Sequence, residues 1–253
     1  MPETLDMLGV VVAGAALAGF IQGLSGFAFA MIALSVWAWA LPPAVAAPLS
    51  VFGALLGQIA SLASVRTGFE MKKIIPFVVG GVFGVPMGVF ILHNTDPLRF
   101  KLVVGALLTF YGSYGLLTPV LPKIEWGGRS LDAFVGGIGG VLGGLGGMSG
   151  SVPAIWTQLR GWKRDLRRAT MQVYNIAMHS LTLTIYARTG TLAGADFHLF
   201  VIVAPAMLIP SYFGAKLYGT FSEQTFTRII LAMLLLSGVA LLFGAIRALS
   251  GPA

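Results

Sequence analysis

A succession of long apolar blocks limits the fold of this chain more than any other feature of its sequence. The blocks are 7–40, 43–65, 74–93, 99–121, 131–159, 169–187, 196–217 and 225–247. Hydrophobic residues make up 57% of the chain and charged residues only 10%, whereas about 25% of a soluble domain is charged. An apolar stretch of about 18 residues is long enough to cross a hydrocarbon core. The sequence therefore predicts an all-α, multi-pass membrane protein and excludes a soluble globular fold.

Two of the blocks are too long for one crossing. Block 7–40 would form a straight helix of about 51 Å, but the hydrocarbon core is only about 30 Å thick. This block and block 131–159 each contain a glycine-rich break, at Gly23–Gly26 and Gly144–Gly150. Each block predicts two short helices folded back inside the membrane as a re-entrant hairpin. A single long, kinked crossing is the alternative.

The two halves of the sequence repeat each other weakly. At an offset of 121 residues the matches are Gly19/Gly140, Gly23/Gly144, Leu24/Leu145 and Gly26/Gly147, and at 122 they are Ala47/Ala169, Val51/Val173 and Arg66-Thr67-Gly68/Arg188-Thr189-Gly190. The constant order and near-constant offset predict two transmembrane repeats. We assign them to residues 1–118 and 131–253, joined by a cytoplasmic linker at 119–130.

The basic residues discriminate between the two topologies. With eight single crossings, nine of the 16 Lys and Arg residues would lie on one side of the membrane and seven on the other, which does not favour either orientation of the chain. With two hairpins, only Arg99, Lys101, Arg188 and Arg247 lie opposite the other twelve. Because cytoplasmic loops carry the excess of basic residues, this division favours the hairpins. It predicts repeats of inverted orientation, each with a hairpin and three crossings, and places both termini in the periplasm.

Helices that break inside a membrane create a candidate binding site for an anion. The first N–H groups of a helix lack intrahelical partners and carry the positive end of its dipole. The residues predicted to bind substrate at the two breaks are Gln22, Ser25, Gly26, Phe27, Gly147, Ser149, Gly150 and Ser151. Alternatively, the glycines serve only to allow close helix packing.

A stripe of polar residues follows one face of the sixth block. Its members, at helical spacings of three and four residues, are Gln172, Asn175, His179, Thr182 and Tyr186. Such a stripe is unfavourable inside a membrane unless it faces a cavity or polar partners. We predict that Gln172, Asn175 and His179 bind substrate. Hydrogen bonding between helices is the alternative, and His179 is open to a structural or proton-relay role. The corresponding residues of the second block, Ser50, Gly53 and Gly57, are small.

Composition and motifs exclude other classes of function. The chain has no cysteine, and we predict no metal site, cofactor or catalytic residue. Positive-inside loops account for the net charge of +7, so nucleic acid binding is not expected. The motif Gly147-Met148-Ser149-Gly150 with His179 resembles the rhomboid intramembrane proteases. However, the motif's first part recurs at Gly23–Gly26 without a second membrane histidine, which favours a structural repeat. An anion channel is a third alternative.

The glycine stretches and helix openings together resemble the sulfite exporter TauE/SafE family of membrane permeases. Gly19–Phe29 and Gly140–Pro153 are similar to its glycine stretches, and Ala47–Ser50 and Ala169–Gln172 to its helix openings. The chain departs from the family pattern at Ser25-Gly26-Phe27, where three glycines are usual, and at Gln172. The resemblance implies a secondary transporter that exports sulfite, a sulfonate or a related organosulfur anion across a bacterial inner membrane. It leaves the oligomeric state open.

Overall fold

The computed structural model describes residues 2–26, 28–62, 68–118, 123–124, 126–217 and 223–250. Its α-helices are α1 (Pro2–Ser25), α2 (Phe29–Ala40), α3 (Pro43–Ser61), α4 (Met71–His93), α5 (Pro97–Leu117), α6 (Gly128–Gly146), α7 (Ser151–Leu159), α8 (Arg164–Arg188), α9 (Phe197–Leu217) and α10 (Glu223–Ser250). A short 3₁₀ helix, Thr191–Gly194, precedes α9. No strand occurs in the described ranges. The predicted all-α fold is confirmed.

The structure divides the apolar blocks as the sequence predicts. Six blocks form one helix each, namely α3, α4, α5, α8, α9 and α10, and each of the two long blocks forms two helices. The interruptions fall at Gly26 and Gly147, whose φ angles are +86° and +82°. Glycine adopts this left-handed conformation without the steric penalty of a Cβ atom, so a helix can stop abruptly at these two positions.

Each broken block folds back on itself instead of continuing as a kinked helix. In the first, Trp37 near the end of α2 donates its indole N–H to the Val10 and Val11 carbonyl oxygens of α1, both at 3.3 Å. In the second, the Trp156 indole of α7 donates to Asp132 Oδ1 in α6 at 2.7 Å. Because these contacts join the far end of the second helix to the early part of the first, both blocks are hairpins.

The arms of each hairpin differ in length. The first arms, α1 and α6, have 24 and 19 residues, and the second arms, α2 and α7, have 12 and 9. The expectation of two short helices is therefore wrong for the first arms. There are two reasons: each first arm begins before its apolar block, at Pro2 and at Gly128, and each break, at Gly26 and at Gly147, lies just past the middle of the block.

Helices from before and after the linker pack together in pairs. The most extensive contacts join α4 with α6, α5 with α10 and α1 with α9, and α3 packs against α8. Every one of these pairs takes one helix from each half of the chain. The two halves are therefore interleaved, and the two hairpins are held by helices of the opposite half.

Glycine brings the backbones of the hairpin helices against their partners. A Cβ atom on Gly23 of α1 would lie 2.0 Å from the Ser211 carbonyl oxygen of α9. A Cβ atom on Gly84 of α4 would lie 2.1 Å from the Gly137 carbonyl oxygen of α6. Small residues permit such close approach between membrane helices. Close packing is thus one function of these glycines.

The exterior of the bundle is suited to lipid. Among the described residues, six helical segments are long and apolar enough to cross a membrane, namely Asp6–Ser25, Pro43–Ser61, Met71–His93, Pro97–Leu117, Phe197–Leu217 and Arg228–Leu249. Large apolar side chains are exposed on their outer faces; Phe83 and Leu236, for example, are 73% and 71% exposed. Water would not favour so much exposed apolar surface, and the chain is a multi-pass membrane protein.

The packing predicts that Gly23→Ala destabilises the bundle. The added Cβ must push α1 away from the α9 backbone, and overpacking of this kind costs about 1–3 kcal/mol. A lower melting temperature in detergent would show it. Gly9→Ala is the matched control in the same helix, because a Cβ there meets no atom within 4 Å. Equal melting temperatures for the two variants would contradict the packing argument.

Candidate functional site

The tip of the second hairpin lies against the first half of the chain. A Cβ atom on Gly147 would lie 3.2 Å from the Ala30 Cβ and from the Val51 Cα. The Ser50 hydroxyl of α3 donates a hydrogen bond to the Gly146 carbonyl oxygen. The break in the second hairpin is therefore close to the start of α2 and the body of α3, between the two halves.

At the first break, Gln22 joins the two helices of the hairpin. Its Oε1 accepts a hydrogen bond from the Phe29 backbone N–H at 3.0 Å, and its Nε2 donates to the Gly26 carbonyl oxygen at 3.1 Å. The same carbonyl oxygen accepts a second bond, from Gln58 Nε2 of α3 at 3.0 Å. Gln172 of α8 donates in turn to the Gln58 carbonyl oxygen. The first break thus contacts α3 directly and α8 through Gln58.

At the second break, Asn175 of α8 is the main polar neighbour. The fully buried Ser149 donates its hydroxyl hydrogen to Asn175 Oδ1 at 2.9 Å. A Cβ atom on Gly150 would lie 2.9 Å from Asn175 Nδ2, so a larger residue there would push the Asn175 amide from its present position. The Ser151 hydroxyl donates to the Met148 carbonyl oxygen at 2.7 Å. This break therefore presents two hydroxyls and an amide side chain within one buried cluster.

Three of the last four carbonyl groups of α6 accept hydrogen bonds from within the protein. The Gly147 N–H donates to the Gly143 carbonyl oxygen at 2.8 Å, and the Tyr186 hydroxyl donates to the Gly144 carbonyl oxygen at 2.6 Å. Ser50 binds the Gly146 carbonyl oxygen as described above. Tyr186, a member of the polar stripe, thus bonds to another helix, which is the structural role that the sequence left open for the stripe.

Two polar atoms of the stripe have no hydrogen-bond partner in the described part of the chain. They are His179 Nδ1 and Thr182 Oγ1, on side chains that are 2% and 0% exposed. Burying a polar group without a partner costs free energy, particularly in a membrane interior that lacks water. His179 lies one helical turn beyond Asn175 on the same face of α8. The face of α8 that contacts the second break therefore carries polar capacity that the described part of the chain does not use.

Ser149 and His179, the pair that the protease hypothesis requires, do not form a catalytic dyad. A catalytic serine needs hydrogen-bond contact with its base. The Ser149 hydroxyl donates to Asn175 instead, and His179 Nδ1 is unpaired in the described ranges.

The structure brings most of the predicted site residues to the two breaks. Gln22, Gly26 and Gln172 belong to the network of the first break, and Gly147, Ser149, Gly150, Ser151 and Asn175 to the second. Ser25 ends α1, and Phe27 lies outside the described residues. Because Gln22, Ser149, Asn175 and His179 are all buried, the cluster is closed to solvent in this conformation.

Sequence reasoning missed three polar residues that hold the hairpins. Gln58 and Ser50 bind the carbonyl ends of α1 and α6. Gln58 is the one amide side chain in the sequence of block 43–65, and this isolated polar residue could have indicated its role. Asp132, only 3% exposed, accepts the Trp156 bond and lies 3.6 Å from Arg160 Nη1 at the base of the second hairpin. Because Asp132 lies beside the polar linker in the sequence, its burial could not be predicted.

Tyr186→Phe and Tyr174→Phe test the network at the end of α6. Both tyrosines are fully buried and donate to α6 carbonyl oxygens at 2.6 Å. The acceptor of Tyr174, Gly136, lies within the helix, whereas Gly144 is in the last turn, where carbonyls lack intrahelical partners. We expect Tyr186→Phe to reduce stability by about 1–3 kcal/mol and Tyr174→Phe by less. Thermal melting in detergent measures both, and the reverse order would contradict the assignment.

Comparison with known proteins gives the family of the chain. Residues 11–241 match the sequence profile of the family described as sulfite exporter TauE/SafE. No curated protein and no solved structure matches the chain. Members of the family are membrane transporters and not enzymes, which agrees with the missing Ser149–His179 contact. With its apolar exterior, its two broken helices and a match over nearly its whole length, this chain belongs to the TauE/SafE family of sulfite exporters.

Proposed function

We propose that this chain exports sulfite or a small organosulfonate across the bacterial inner membrane by alternating access. The observation that carries the proposal is the buried polar cluster at the second break, where Ser149 bonds Asn175 and the neighbouring Ser151 bonds the Met148 carbonyl oxygen. Gly147 of the same break lies against Ala30 and Val51 of the first half. Transporters commonly bind substrate at broken helices near the middle of the membrane. We place the substrate at this cluster, with Gly147, Gly150 and His179 completing its lining.

The chemistry of the second break suits an anion. The start of α7 lies at the positive end of the helix dipole, which favours negative charge. The Ser151 N–H already donates to the Met148 carbonyl oxygen and Pro153 has no N–H, so the Gly150 and Val152 N–H groups remain to face an anion. The hydroxyl hydrogens of Ser149 and Ser151 can turn to the anion once they leave their present acceptors, and the Asn175 amide adds N–H groups. A sulfite or sulfonate group has three oxygens that accept such bonds. Neutral donors of this kind bind an anion less tightly than a buried cation would. Weaker binding suits a transporter, because it must release its substrate.

The contacts of the glycines support two inverted repeats, at residues 1–118 and 131–253 with the linker 119–130. Gly19 meets Met207, and Gly140 meets Gly81. Gly19 and Gly140 are 121 residues apart, and their partners are 126 apart. The same two separations relate Gly23 and its partner Ser211 to Gly144 and its partner Val85. Helices at corresponding positions thus make corresponding contacts with the opposite half, as a two-fold axis between repeats requires.

The closed site supports alternating access. The polar cluster is reached only when the hairpins and α3 or α8 separate, and binding must replace the Ser149–Asn175 hydrogen bond. Interleaved repeats can open toward one face of the membrane while closing the other. Export of an anion from a negative-inside cell is downhill by about 2.3 kcal/mol per charge per 100 mV, so a uniporter suffices.

Transport by the purified protein tests the proposal. Inside-out vesicles or proteoliposomes should take up labelled sulfite, faster when the interior is positive. Asn175→Leu, which keeps the size but removes the hydrogen bonds, should lower kcat/KM at least tenfold, since hydrogen bonds to charged groups contribute about 1.5–3 kcal/mol. Ser35→Ala, in the first hairpin, is the control, because within the described part of the chain the Ser35 hydroxyl bonds only its own helix, at the Ile32 carbonyl oxygen. Transport of neither sulfite nor any sulfonate would refute the substrate.

Cysteine labelling tests the topology. Arg129 is near the start of α6 and Arg188 is the last residue of α8, and the chain has no native cysteine. We propose that both termini are periplasmic. A membrane-impermeant maleimide should then label Arg129→Cys only from the cytoplasm and Arg188→Cys only from the periplasm. Labelling of both from the same face would contradict the inverted-repeat topology.

A further inference from the structure

The two breaks have different side chains at corresponding positions. Gly26 and Gly147 correspond, since both have positive φ and they are 121 residues apart. The same offset pairs Gln22 with Gly143, Ala28 with Ser149, Phe29 with Gly150 and Ala30 with Ser151. The second break therefore carries hydroxyl groups where the first has alanines, and the first carries an amide side chain where the second has glycine.

Gln22 occupies the start of α2 as a ligand would. Its Oε1 accepts the Phe29 N–H at 3.0 Å, at the end of a helix where an anion's oxygen is favoured. Its Nε2 donates to the Gly26 carbonyl oxygen at 3.1 Å, which satisfies the other side of the break. The side chain is 1% exposed. An oxygen from the protein's own chain thus takes the place that a substrate oxygen would occupy.

The neighbouring helix α3 leaves room for the side chains of the first hairpin. A Cβ atom on Gly57 would lie 2.7 Å from the Gln22 Cγ and 2.9 Å from its Nε2. A Cβ atom on Gly53 would lie 2.2 Å from the Phe29 ring. In this half, therefore, the hairpin carries the large side chains, Gln22 and Phe29, and α3 has glycine where they pack against it.

The second half has the opposite arrangement. Gly143 and Gly150 of the hairpin are small, and α8 carries Asn175 and His179 where α3 has Gly53 and Gly57. Glycine at 143 has no side chain that could accept the Gly150 N–H. Nearby, His179 Nδ1 has no partner in the described part of the chain although the side chain is 2% exposed. His179 lies one turn from Asn175 on the same face of α8, so its unpaired nitrogen is an observation independent of the helix end that favours a ligand on this face.

We infer that Gln22 is a built-in replacement for the substrate at the first break, so that each chain binds one anion, at the second break only. This inference rests on the proposed function for the nature of the anion. Gln22 is then a positioning residue that holds the first hairpin closed on Gly57, and its amide does not touch the substrate. The two repeats share a fold but differ in role: one carries the site, and the other closes over it.

Removal of the Gln22 side chain should open a second anion site. In titration calorimetry of the detergent-purified protein with sulfite, we expect one site per chain for wild type and two for Gln22→Ala. Gln22→Met is the matched control; it fills the space beside Gly57 without an amide and should remain at one. Two sites in the wild type, or one in Gln22→Ala, would overturn the inference.

Transport kinetics supply a second readout that does not require Gln22→Ala to fold. The KM of Gln22→Met for sulfite should stay within threefold of wild type, whereas Asn175→Leu should raise it at least tenfold. A tenfold rise for Gln22→Met would make Gln22 a substrate ligand and overturn the inference.

The outcomes separate this inference from the proposed function. Suppose that the wild type transports no sulfur anion, but that sulfite, sulfate or chloride raises the Tm of Gln22→Ala and not that of Gln22→Met. The proposed function then fails and the role of Gln22 stands. If the wild type transports sulfite and the calorimetric stoichiometry of Gln22→Ala stays at one, the role of Gln22 fails and the function stands.

Discussion

A helix that stops inside a membrane leaves backbone groups without partners, and the rest of this structure depends on how they are satisfied. Water is absent from the hydrocarbon core, so an unpaired carbonyl or N–H there is costly. At the end of α1, Gln22 and Gln58 bind the Gly26 carbonyl oxygen. At the end of α6, Tyr186 and Ser50 bind the last carbonyls. At the end of α6 the two donors come from different halves, Tyr186 from α8 and Ser50 from α3, which fixes the tip of the second hairpin between the halves.

Close glycine packing makes this arrangement possible. Each hairpin's first arm lies backbone to backbone against a helix of the other half, α1 on α9 and α6 on α4. Membrane helices associate through van der Waals contact and not through the hydrophobic effect. Glycine on these faces therefore stabilises the bundle, because it lets the two backbones come into close contact. Each hairpin packs on a helix of the opposite half, so motion of one hairpin must move that helix as well. Coupled motion of this kind suits a transporter.

Much of the fold was predictable because hydrophobic length and glycine are local signals. A 34-residue apolar block cannot cross a core of about 30 Å in one straight helix, and the glycines marked where it breaks. The polar stripe of α8 was equally visible, since helical periodicity alone places Asn175 and His179 on one face. The length of the first arms was not predictable, because a glycine run does not show which of its glycines ends the helix.

The sequence by itself determined that this chain is a membrane protein with two broken helices and a polar face on α8. Only the tertiary structure decided which polar groups meet. Gln22 and Ser149 were equal candidates on the sequence, but Gln22 bonds to its own hairpin and Ser149 bonds to Asn175. The physical reason is that a hydrogen bond depends on distances between helices far apart in the chain, whereas burial and helical period are properties of each segment alone.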